Sequence, residues 1–484
     1  MKNEKIVNLG YKYRLYANKE QMKILNHQMY IYNQAYNICL NLWQKENSKN
    51  KDLPKELKTF RNAVSYDSVV KRALRLRKLS FSTVVTQQAR INFLKAVKKA
   101  FSKETISLRL KAIENATTLK EKTKAYNLGM PTFKSSKDIF QYFNWNNQGY
   151  QILDDINNNS RFKTLRVLKT NLRFRVHREF PNNYKLSSIT ISKDSIGYYV
   201  SFTIEFKKQI DLVVSKDNLD ISKSIGIDLN AYNFAVSSNV NFIQDSNIST
   251  VKLNHLIHNG ATNRKGLKYA KYVKLLEKKQ SRRVLKELKN CKLNKTKFKL
   301  GSNHKKTQNK LNKLNKKISN QKTDLYHKIS NALTNKFDLI VVEDLKTKNM
   351  SKSSKGNELT HGKRVKQKSG LNRTILNASF YQFVSMIQYK TIMLNDKLFV
   401  KVNPQYTSQE CSCCGNIDKN NRSKQDKFKC IACNFEINPD IQASKTILKR
   451  ALESFGLGTS LTDLNCKAFR STFTRSCQLG SLCL

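Results

Sequence analysis

The chain has 484 residues, of which 39% are apolar, so it can bury a sizeable core and has room for roughly three domains. Its 90 Lys and Arg outnumber its 35 Asp and Glu and leave a formal net charge of +55. Because solubility does not require so large a surplus, we expect a polyanionic partner, nucleic acid, rather than mere lysine enrichment by an AT-rich genome.

The sequence argues against a secreted or membrane-bound protein. No secretory signal follows Met1, and no apolar run approaches the ~20 residues of a membrane span. Five of the ten cysteines cluster between residues 411 and 433, which is not the pattern of a secreted disulfide framework. We therefore expect a soluble, cytoplasmic protein.

The N-terminal half combines a strand with a helical module. Apolar residues alternate from Val7 to Leu15, which predicts a strand. Asn18 is a candidate N-cap, with Gln21 three residues later, and predicts the start of a long helix. Further helical patterns, including 69–79 and 84–101, continue to about Tyr126. We predict a helical module over residues 17–126, inserted after the first strand.

Short strands are predicted from about Met130 onwards. The candidates are 131–135, 140–145, 172–176 and a hairpin over 189–206 that turns at 194–197. Residues 1–16 and 127–215 are accordingly predicted to form a small β-barrel, which the helical module interrupts.

A second pattern begins near residue 224. Three short strand signals between 224 and 243 predict a β-meander, and two basic helices are predicted within 263–335. From Asn263 to Lys322 the only acids are Glu277 and Glu287. A solvated helical pair would explain these helices, but the scarcity of acids favours an arm that contacts phosphates.

The remaining elements follow in order. Residues 337–344 predict a buried central strand, 346–370 a mobile polar loop, 376–394 a helix and 398–402 a strand. A helix is predicted from Asp440 to about Leu452. The tail over 456–484 is expected to be disordered, and its cysteines lack metal-binding spacing.

Four cysteines predict a zinc ribbon over residues 405–435. Cys411 and Cys414 form one C-x₂-C pair, and Cys430 and Cys433 form a second after fifteen intervening residues. Each pair places two thiolates on one tight turn, so the two pairs complete a tetrahedral shell for one Zn²⁺. With no open coordination position, this zinc is expected to be structural. Cys413 is expected to be a spectator.

Three acids stand where strands end or a helix begins: Asp228, Glu343 and Asp440. Carboxylate oxygens are the ligands that Mg²⁺ prefers, and two such ions about 4 Å apart assist phosphodiester hydrolysis. One acid at a strand end is ordinary, but three on a meander, a central strand and a closing helix predict a ribonuclease H-like site. His327 is expected to be a surface or core residue rather than a base.

Several motifs together resemble the TnpB family of transposon-encoded RNA-guided nucleases, which is related to miniature type V CRISPR effectors. The resemblance runs from Tyr11 to about Leu452, and four segments beside the Asp440 helix carry it: Gly226-Ile227-Asp228-Leu229, Val341-Val342-Glu343-Asp344-Leu345, Leu371-Asn372-Arg373-Thr374-Ile375-Leu376 and the run from Tyr406 to Gly415.

The resemblance implies an α+β multidomain protein. It would contain a RuvC-like nuclease domain, over 216–404 and 436–455, with an inserted zinc ribbon, a wedge barrel and a helical recognition module. Asp228, Glu343 and Asp440 would bind two Mg²⁺ ions, or Mn²⁺ in their place. A guide RNA would select DNA beside a short motif read by the protein. One site would cut both strands, with 346–370 as a lid.

The chain departs from the family pattern at four positions. Gln442 stands where members commonly have Asn, and Asn438 where an acid is frequent. Asp426 replaces a common Arg, and Asn434 replaces the usual Gly after the fourth cysteine, which is tolerable because Asn accepts left-handed backbone. The first three bear on the rate of cutting rather than on the fold.

Two alternatives to a transposon nuclease remain open: a miniature type V CRISPR effector and a guided DNA-binding repressor that does not cut. The presence of all three acids argues against the repressor. The N-terminal half contains only Cys39 and thus lacks an additional cysteine finger, which favours the transposon form.

Overall fold

The computed structural model describes residues 3–49, 65–146, 149–154, 161–180, 184–210, 221–229, 236–237, 264–294, 301–356, 361–394, 397–422 and 427–455. They form a mixed α/β structure of two compact units, one up to residue 209 and one from residue 210. None of the described helices is long and apolar enough to cross a membrane. The predicted disordered tail over 456–484 lies outside the described residues.

A seven-stranded sheet, curled into a half-barrel, forms the centre of the N-terminal unit. Its strands are β1 (Asn3–Tyr16), β2 (Gln141–Asn146), β3 (Gln151–Asp154), β4 (Phe162–Val167), β5 (Thr170–Arg175), β6 (Tyr184–Lys193) and β7 (Tyr198–Ile210). The order is β2-β6-β7-β1-β5-β4-β3, so among the described residues β2 and β3 are open edges. The expected closed barrel is therefore a half-barrel here.

The alternation predicted for the first strand is present in β1. Tyr11, Tyr13 and Leu15 are buried in the concave core, whereas Lys12 and Arg14 are exposed. The β6–β7 hairpin also matches its prediction, and its turn is closed by the Asp194 N–H, which donates to the Gly197 carbonyl at 3.0 Å.

Five helices follow or pack on this sheet: α1 (Lys19–Lys49), α2 (Ser65–Leu76), α3 (Thr83–Ala100), α4 (Lys103–Glu114) and α5 (Leu119–Tyr126). The cap predicted for α1 is present. The Gln21 N–H donates to Asn18 Oδ1 at 2.8 Å, and the Asn18 N–H donates to Gln21 Oε1 at 2.9 Å. The predicted end of the helical region coincides with the end of α5.

The strand predicted over residues 131–135 is wrong. A side chain takes the place of a partner strand there: Asn37 donates to the Lys134 carbonyl and accepts from the Lys134 N–H, both at 2.8 Å. The Lys134 ammonium lies 4.3 to 4.6 Å from the ring centroids of Tyr32, Tyr36 and Tyr142. Because the Asn37 side chain pairs with both backbone groups of Lys134, this residue forms no hydrogen bonds with a neighbouring strand.

The C-terminal unit contains a four-stranded sheet and a two-stranded ribbon. The sheet consists of β8 (Ser224–Asp228), β9 (Val236–Ser237), β10 (Leu339–Glu343) and β11 (Leu398–Val402), in the order β11-β10-β8-β9. β10 is central and parallel to both β8 and β11, as expected for a fully buried strand. β9 is antiparallel to β8. The third predicted meander strand, 241–243, lies outside the described residues.

The helices of this unit are α6 (Arg264–Leu293), α7 (Ser302–Lys336), α8 (Thr347–Met350), α9 (Val365–Ala378), α10 (Phe380–Met393) and α11 (Pro439–Ser454). They cover both faces of the sheet. Ile340 and Val342 pack into a core with residues of α7, α9 and α10, whereas Leu339 and Val341 pack against α11. Alternate residues of β10 thus serve two different cores.

Two predictions on the segment after β10 need correction. The loop expected over 346–370 contains the short helix α8 and the first turns of α9. The single helix expected over 376–394 is instead two helices, which break at Ser379 in left-handed conformation (φ 49°). The Lys322 ammonium donates to the Asn377 carbonyl and to Ser379 Oγ, both at 2.7 Å, and so occupies the break.

Candidate active site and metal centre

The four cysteines of the predicted ribbon come together as one cluster. The Sγ atoms of Cys411, Cys414, Cys430 and Cys433 all lie within 4.8 Å of one another. Two short strands, β12 (Phe428–Lys429) and β13 (Glu436–Ile437), hold the second pair. Four thiols at this spacing match the donor set of a structural zinc site, so the residues fit the metal.

The two turns that carry these thiols are equivalent. The Gly415 N–H donates to the Cys411 carbonyl at 2.9 Å, and the Asn434 N–H donates to the Cys430 carbonyl at 3.0 Å. Gly415 (φ 78°) and Asn434 (φ 55°) are both left-handed. The expectation that Asn434 could replace the usual glycine through left-handed backbone is confirmed.

Asp228 and Glu343 lie at the same edge of the sheet. They are the last residues of the parallel strands β8 and β10, whose register places Ile227 opposite Val342. Glu343 is buried and Asp228 is partly buried. Parallel strands present their carboxyl ends on one side, which is where ligands bind in open α/β sheets.

Asp440 is in the first turn of α11. Asn438 caps this helix, since its Oδ1 accepts from the N–H groups of Asp440 at 2.9 Å and Ile441 at 3.4 Å, and Pro439 occupies the first helical position. The family departure at Asn438 therefore supplies the cap that fixes the backbone of Asp440.

A close approach of α11 to β8 brings Asp440 to this sheet edge. A Cβ on Gly226 would lie 2.2 Å from the Ser444 carbonyl oxygen and 2.9 Å from the Leu448 nitrogen. Only a glycine fits here, so the helix backbone lies directly on the strand two residues before Asp228.

The electrostatics of Asp228 reflect the two other acids. Removal from water, together with the charges of Glu343 and Asp440, raises the pKa of Asp228 to about 7, against the opposing effects of Arg422 and the Leu229 N–H. The three predicted acids are thus close enough to interact. Within the described residues, however, only the cysteines bring three or more donor atoms within 4.8 Å of one another, so the carboxylates are more widely spaced.

Glu343 has its own set of partners. Burial raises its pKa, while the hydroxyl of Thr407, which donates to Glu343 Oε1 at 2.5 Å, and the charge of Arg450 lower it. Thr407 follows β11 and precedes the first cysteine pair. It belongs to a quoted family segment, but its contact with Glu343 could not be predicted because the two residues are 64 positions apart.

Sequence reasoning also missed a polar stripe on α11. Gln442, Thr446 and Arg450 recur every four residues, a spacing that places them on one helix face. All three bind Glu410: the Gln442 and Thr446 side chains donate to its carbonyl, at 2.8 and 3.3 Å, and Arg450 donates twice to its Oε2. The spacing alone could have indicated this face.

A basic cleft of about 1200 Å³ lies between α6, α7 and α9. Lys274, Lys322 and Arg373 contribute cations to its walls, and Gln280, Gln308 and Asn377 contribute amides. Burial lowers the pKa of Lys322. His327, on α7, lies 3.4 Å from the Tyr389 hydroxyl, and Cys413 is outside the thiol cluster.

Three family models match the chain. A helix-turn-helix domain of the IS605 OrfB type matches residues 1–52, the IS605 OrfB family described as "Probable transposase" matches 209–354, and a Cas12f1-like TNB domain matches 380–447. The chain belongs to the IS605 OrfB/TnpB family. Over the helix-turn-helix match, the described part of this TnpB-family chain consists of β1 and the single long helix α1.

Curated relatives match short segments of the TnpB-family chain. The "Putative RNA-guided DNA endonuclease InsQ" of Escherichia coli K12 is 41% identical over 110 residues, which are 23% of this chain and 27% of the relative. The "CRISPR-associated endodeoxyribonuclease Cas12f1" of Sulfoacidibacillus thermotolerans is 45% identical over 76 residues, 16% of this chain and 18% of the relative. The matches thus span about a quarter or less of these relatives.

A solved structure was also matched. A Cas12f1–sgRNA–target DNA complex, determined by cryo-EM, aligns with 89% of this chain and 83% of its own chain, at 18% identity and a TM-score of 0.47.

Proposed function

We propose that this TnpB-family chain is an RNA-guided DNA endonuclease that hydrolyses target DNA at a single site formed by Asp228, Glu343 and Asp440. One observation carries the proposal: the pKa of Asp228 is raised to about 7, in part by Glu343 and Asp440, at the carboxyl edge of a parallel sheet. The charges of Glu343 and Asp440 disfavour ionisation of Asp228, and divalent cations, which suit carboxylates, would offset that repulsion. The names of the relatives agree with this activity.

The chain's own residues would do three things at this site. The three carboxylates would hold two Mg²⁺ ions, or Mn²⁺, which when bound supply charge to activate water and to stabilise the leaving oxygen. The Thr407 hydroxyl donates to Glu343 and favours its ionised form against the effect of burial. The Asn438 cap and the Gly226 contact fix the helix turn that carries Asp440.

The partners are part of the same proposal. A guide RNA would pair with target DNA beside a short motif that the protein reads, and the N-terminal half-barrel and helices would act as wedge and recognition module. The basic cleft between α6, α7 and α9 favours a phosphate-contacting role for these helices, because Lys274 and Arg373 line it. Residues 346–370 would be the lid.

The RNA bound to the purified chain is the first test. The chain should be expressed with its native flanking DNA, and the RNA that purifies with it sequenced. One discrete species with an end that matches DNA beside the gene would support a transposon nuclease. Repeat-derived RNAs with varied spacers would support a CRISPR effector, which the Cas12f1-like match over 380–447 makes the second candidate. Heterogeneous cellular RNA alone would overturn guided targeting.

Cleavage is tested with that RNA and a matching DNA duplex. Asp228→Ala should abolish cutting and leave RNA binding nearly unchanged, because the acid would bind metal and not guide. Asp324→Ala is the matched control, since Asp324 is an exposed acid of α7 that pairs with Lys328 at 2.8 Å. An uncut duplex with the unaltered chain would favour the non-cleaving repressor. Cutting by Asp228→Ala would overturn the assigned site.

A further inference from the structure

The side chain of Gln442 connects the cysteine cluster to the helix that carries Asp440. It is fully buried, and both ends of its amide are used. Its Oε1 accepts from Ser412 Oγ at 2.8 Å, and its Nε2 donates to the Glu410 carbonyl at 2.8 Å. Because a buried amide without partners is costly, this geometry specifies one position of the helix relative to the first cysteine turn.

The two partners of Gln442 flank a cluster thiol. Glu410 and Ser412 are the neighbours of Cys411, whose side chain is buried among the other three cysteines. Any change in the turn that carries Cys411 therefore moves both partners of Gln442. The Glu410 carboxylate is held as well, by Arg450, whose Nη2 donates to Glu410 Oε2 at 2.6 Å.

At the other end, Gln442 is two residues from Asp440 in the first turns of α11. The helix is already fixed on one side by its contact with Gly226. The hydrogen bonds of Gln442 to Ser412 and Glu410 hold the helix at a second place, beside the cysteine cluster. The location of Asp440 therefore depends on both contacts. The segment that leads to the first cysteine pair also contacts Glu343, because the Thr407 hydroxyl donates to its carboxylate.

We propose that Gln442 is a positioning residue that transmits the state of the cysteine cluster to Asp440. Zinc in the cluster would hold Glu410 and Ser412 in place, and Gln442 would then hold the Asp440 turn at the spacing that a divalent cation needs. Loss of zinc would weaken cation binding at the carboxylates. This inference rests on the proposed role of the three acids as a divalent-cation site.

The test measures the affinity of the full-length chain for Mn²⁺ by electron paramagnetic resonance, with zinc bound and after zinc removal. In the unaltered chain, zinc removal should weaken Mn²⁺ binding by about tenfold, as is typical when an outer-shell contact is lost. Gln442→Met keeps the size of the side chain but removes the hydrogen bonds to Ser412 and Glu410, together with a longer one to Thr446 Oγ1 at 3.3 Å. With zinc still bound, Mn²⁺ binding by Gln442→Met should be weaker by the same factor. Removal of zinc from this variant should then have no further effect on Mn²⁺ binding.

A matched control and a milder variant complete the design. Gln382→Met is the control, because it removes the hydrogen bond from Gln382 Nε2 to Thr323 Oγ1 at 3.0 Å in a different helix, α10. Its affinity for Mn²⁺ should equal that of the unaltered chain, both with zinc bound and after zinc removal. Ser412→Ala removes one hydroxyl from a half-buried residue and should give an intermediate loss. It tests the same contact of Gln442 if Gln442→Met does not fold. If Gln442 only stabilises the fold, Gln442→Met should lower the unfolding temperature, and zinc removal should still weaken Mn²⁺ binding in this variant.

The outcomes separate the two proposals. If zinc-bound Gln442→Met and Ser412→Ala bind Mn²⁺ like the unaltered chain, while Asp228→Ala abolishes binding, the positioning role is overturned and the carboxylate site stands. If Asp228→Ala and Asp440→Asn both leave Mn²⁺ binding unchanged, the carboxylate site is overturned and the inference about Gln442 falls with it.

Discussion

Gly226 and Ser444 are in direct backbone contact: a Cβ on the strand residue would lie 2.2 Å from the carbonyl oxygen of the helix residue. This contact seats α11 on β8 and brings the Asp440 turn to the edge where Asp228 ends its strand. The candidate site therefore depends on the absence of one side chain.

Gly226→Ala should destabilise the C-terminal unit by about 1–3 kcal/mol, because the added methyl group forces the helix away from the strand. It should also weaken Mn²⁺ binding at the carboxylates. Urea unfolding and Mn²⁺ titration measure the two effects. Gly370→Ala is the matched control: no atom lies within 4 Å of its added Cβ, and in the interior of α9 it should stabilise by about 0.5–1 kcal/mol. Equal stability of the two variants would contradict the close contact.

Thr407→Val should lower Mn²⁺ affinity several-fold, and by less as the pH rises. The Thr407 hydroxyl lowers the pKa of Glu343 against the effect of burial, so its removal raises that pKa and leaves less carboxylate to bind the cation. Titrations over a range of pH measure the change. Thr374→Val, which removes a hydroxyl bonded only to the Gly370 carbonyl, should bind as the unaltered chain does. A loss that is independent of pH would argue against this cause.

Local patterns predicted much of the fold. The mainly apolar runs over 337–344 and 398–402 predicted β10 and β11, and the preference of Asn for left-handed backbone predicted the turn at Asn434. Each of these features is specified by residues that are neighbours in the sequence. The cysteine spacing predicted the thiol cluster because the ligands define their own geometry.

The unpredicted features depend on contacts between distant segments. Asn37 takes the place of a strand partner for Lys134 across 97 residues, and Lys322 reaches the break at Ser379 across 57. Gln442 was recognised only as a departure from the family, because its hydrogen bonds to Glu410 and Ser412 require the ribbon to be folded against α11. No periodicity in the sequence specifies such pairs.

Cys414→Ser should reduce bound zinc from one ion per chain to well below one, because three thiolates hold zinc less tightly than four. Cys413→Ser should retain a full equivalent, since Cys413 is adjacent in sequence but outside the cluster. Atomic emission spectrometry of the two purified variants measures the difference. Equal zinc contents would show that the ligands are assigned wrongly.

Asp228→Asn should stabilise the metal-free chain, increasingly so as the pH rises from about 4 to 7. An unfolded Asp ionises near its ordinary pKa of 3.8, whereas the folded carboxyl stays protonated until its pKa of about 7. Each unit of rising pH in this range thus favours the unfolded state of the unaltered chain and leaves the neutral amide unaffected. Above pH 7 the difference should level off, at an upper limit of roughly 4 kcal/mol.

Unfolding free energies measured in a chelator between pH 4 and 8, for Asp228→Asn and the unaltered chain, test this dependence. Asp324→Asn, a change at an exposed acid of α7, is the control. Saturating Mn²⁺ should reverse the order of stability, since bound cations favour the folded state of the unaltered chain alone. A difference that stays constant across this range would contradict the raised pKa of Asp228.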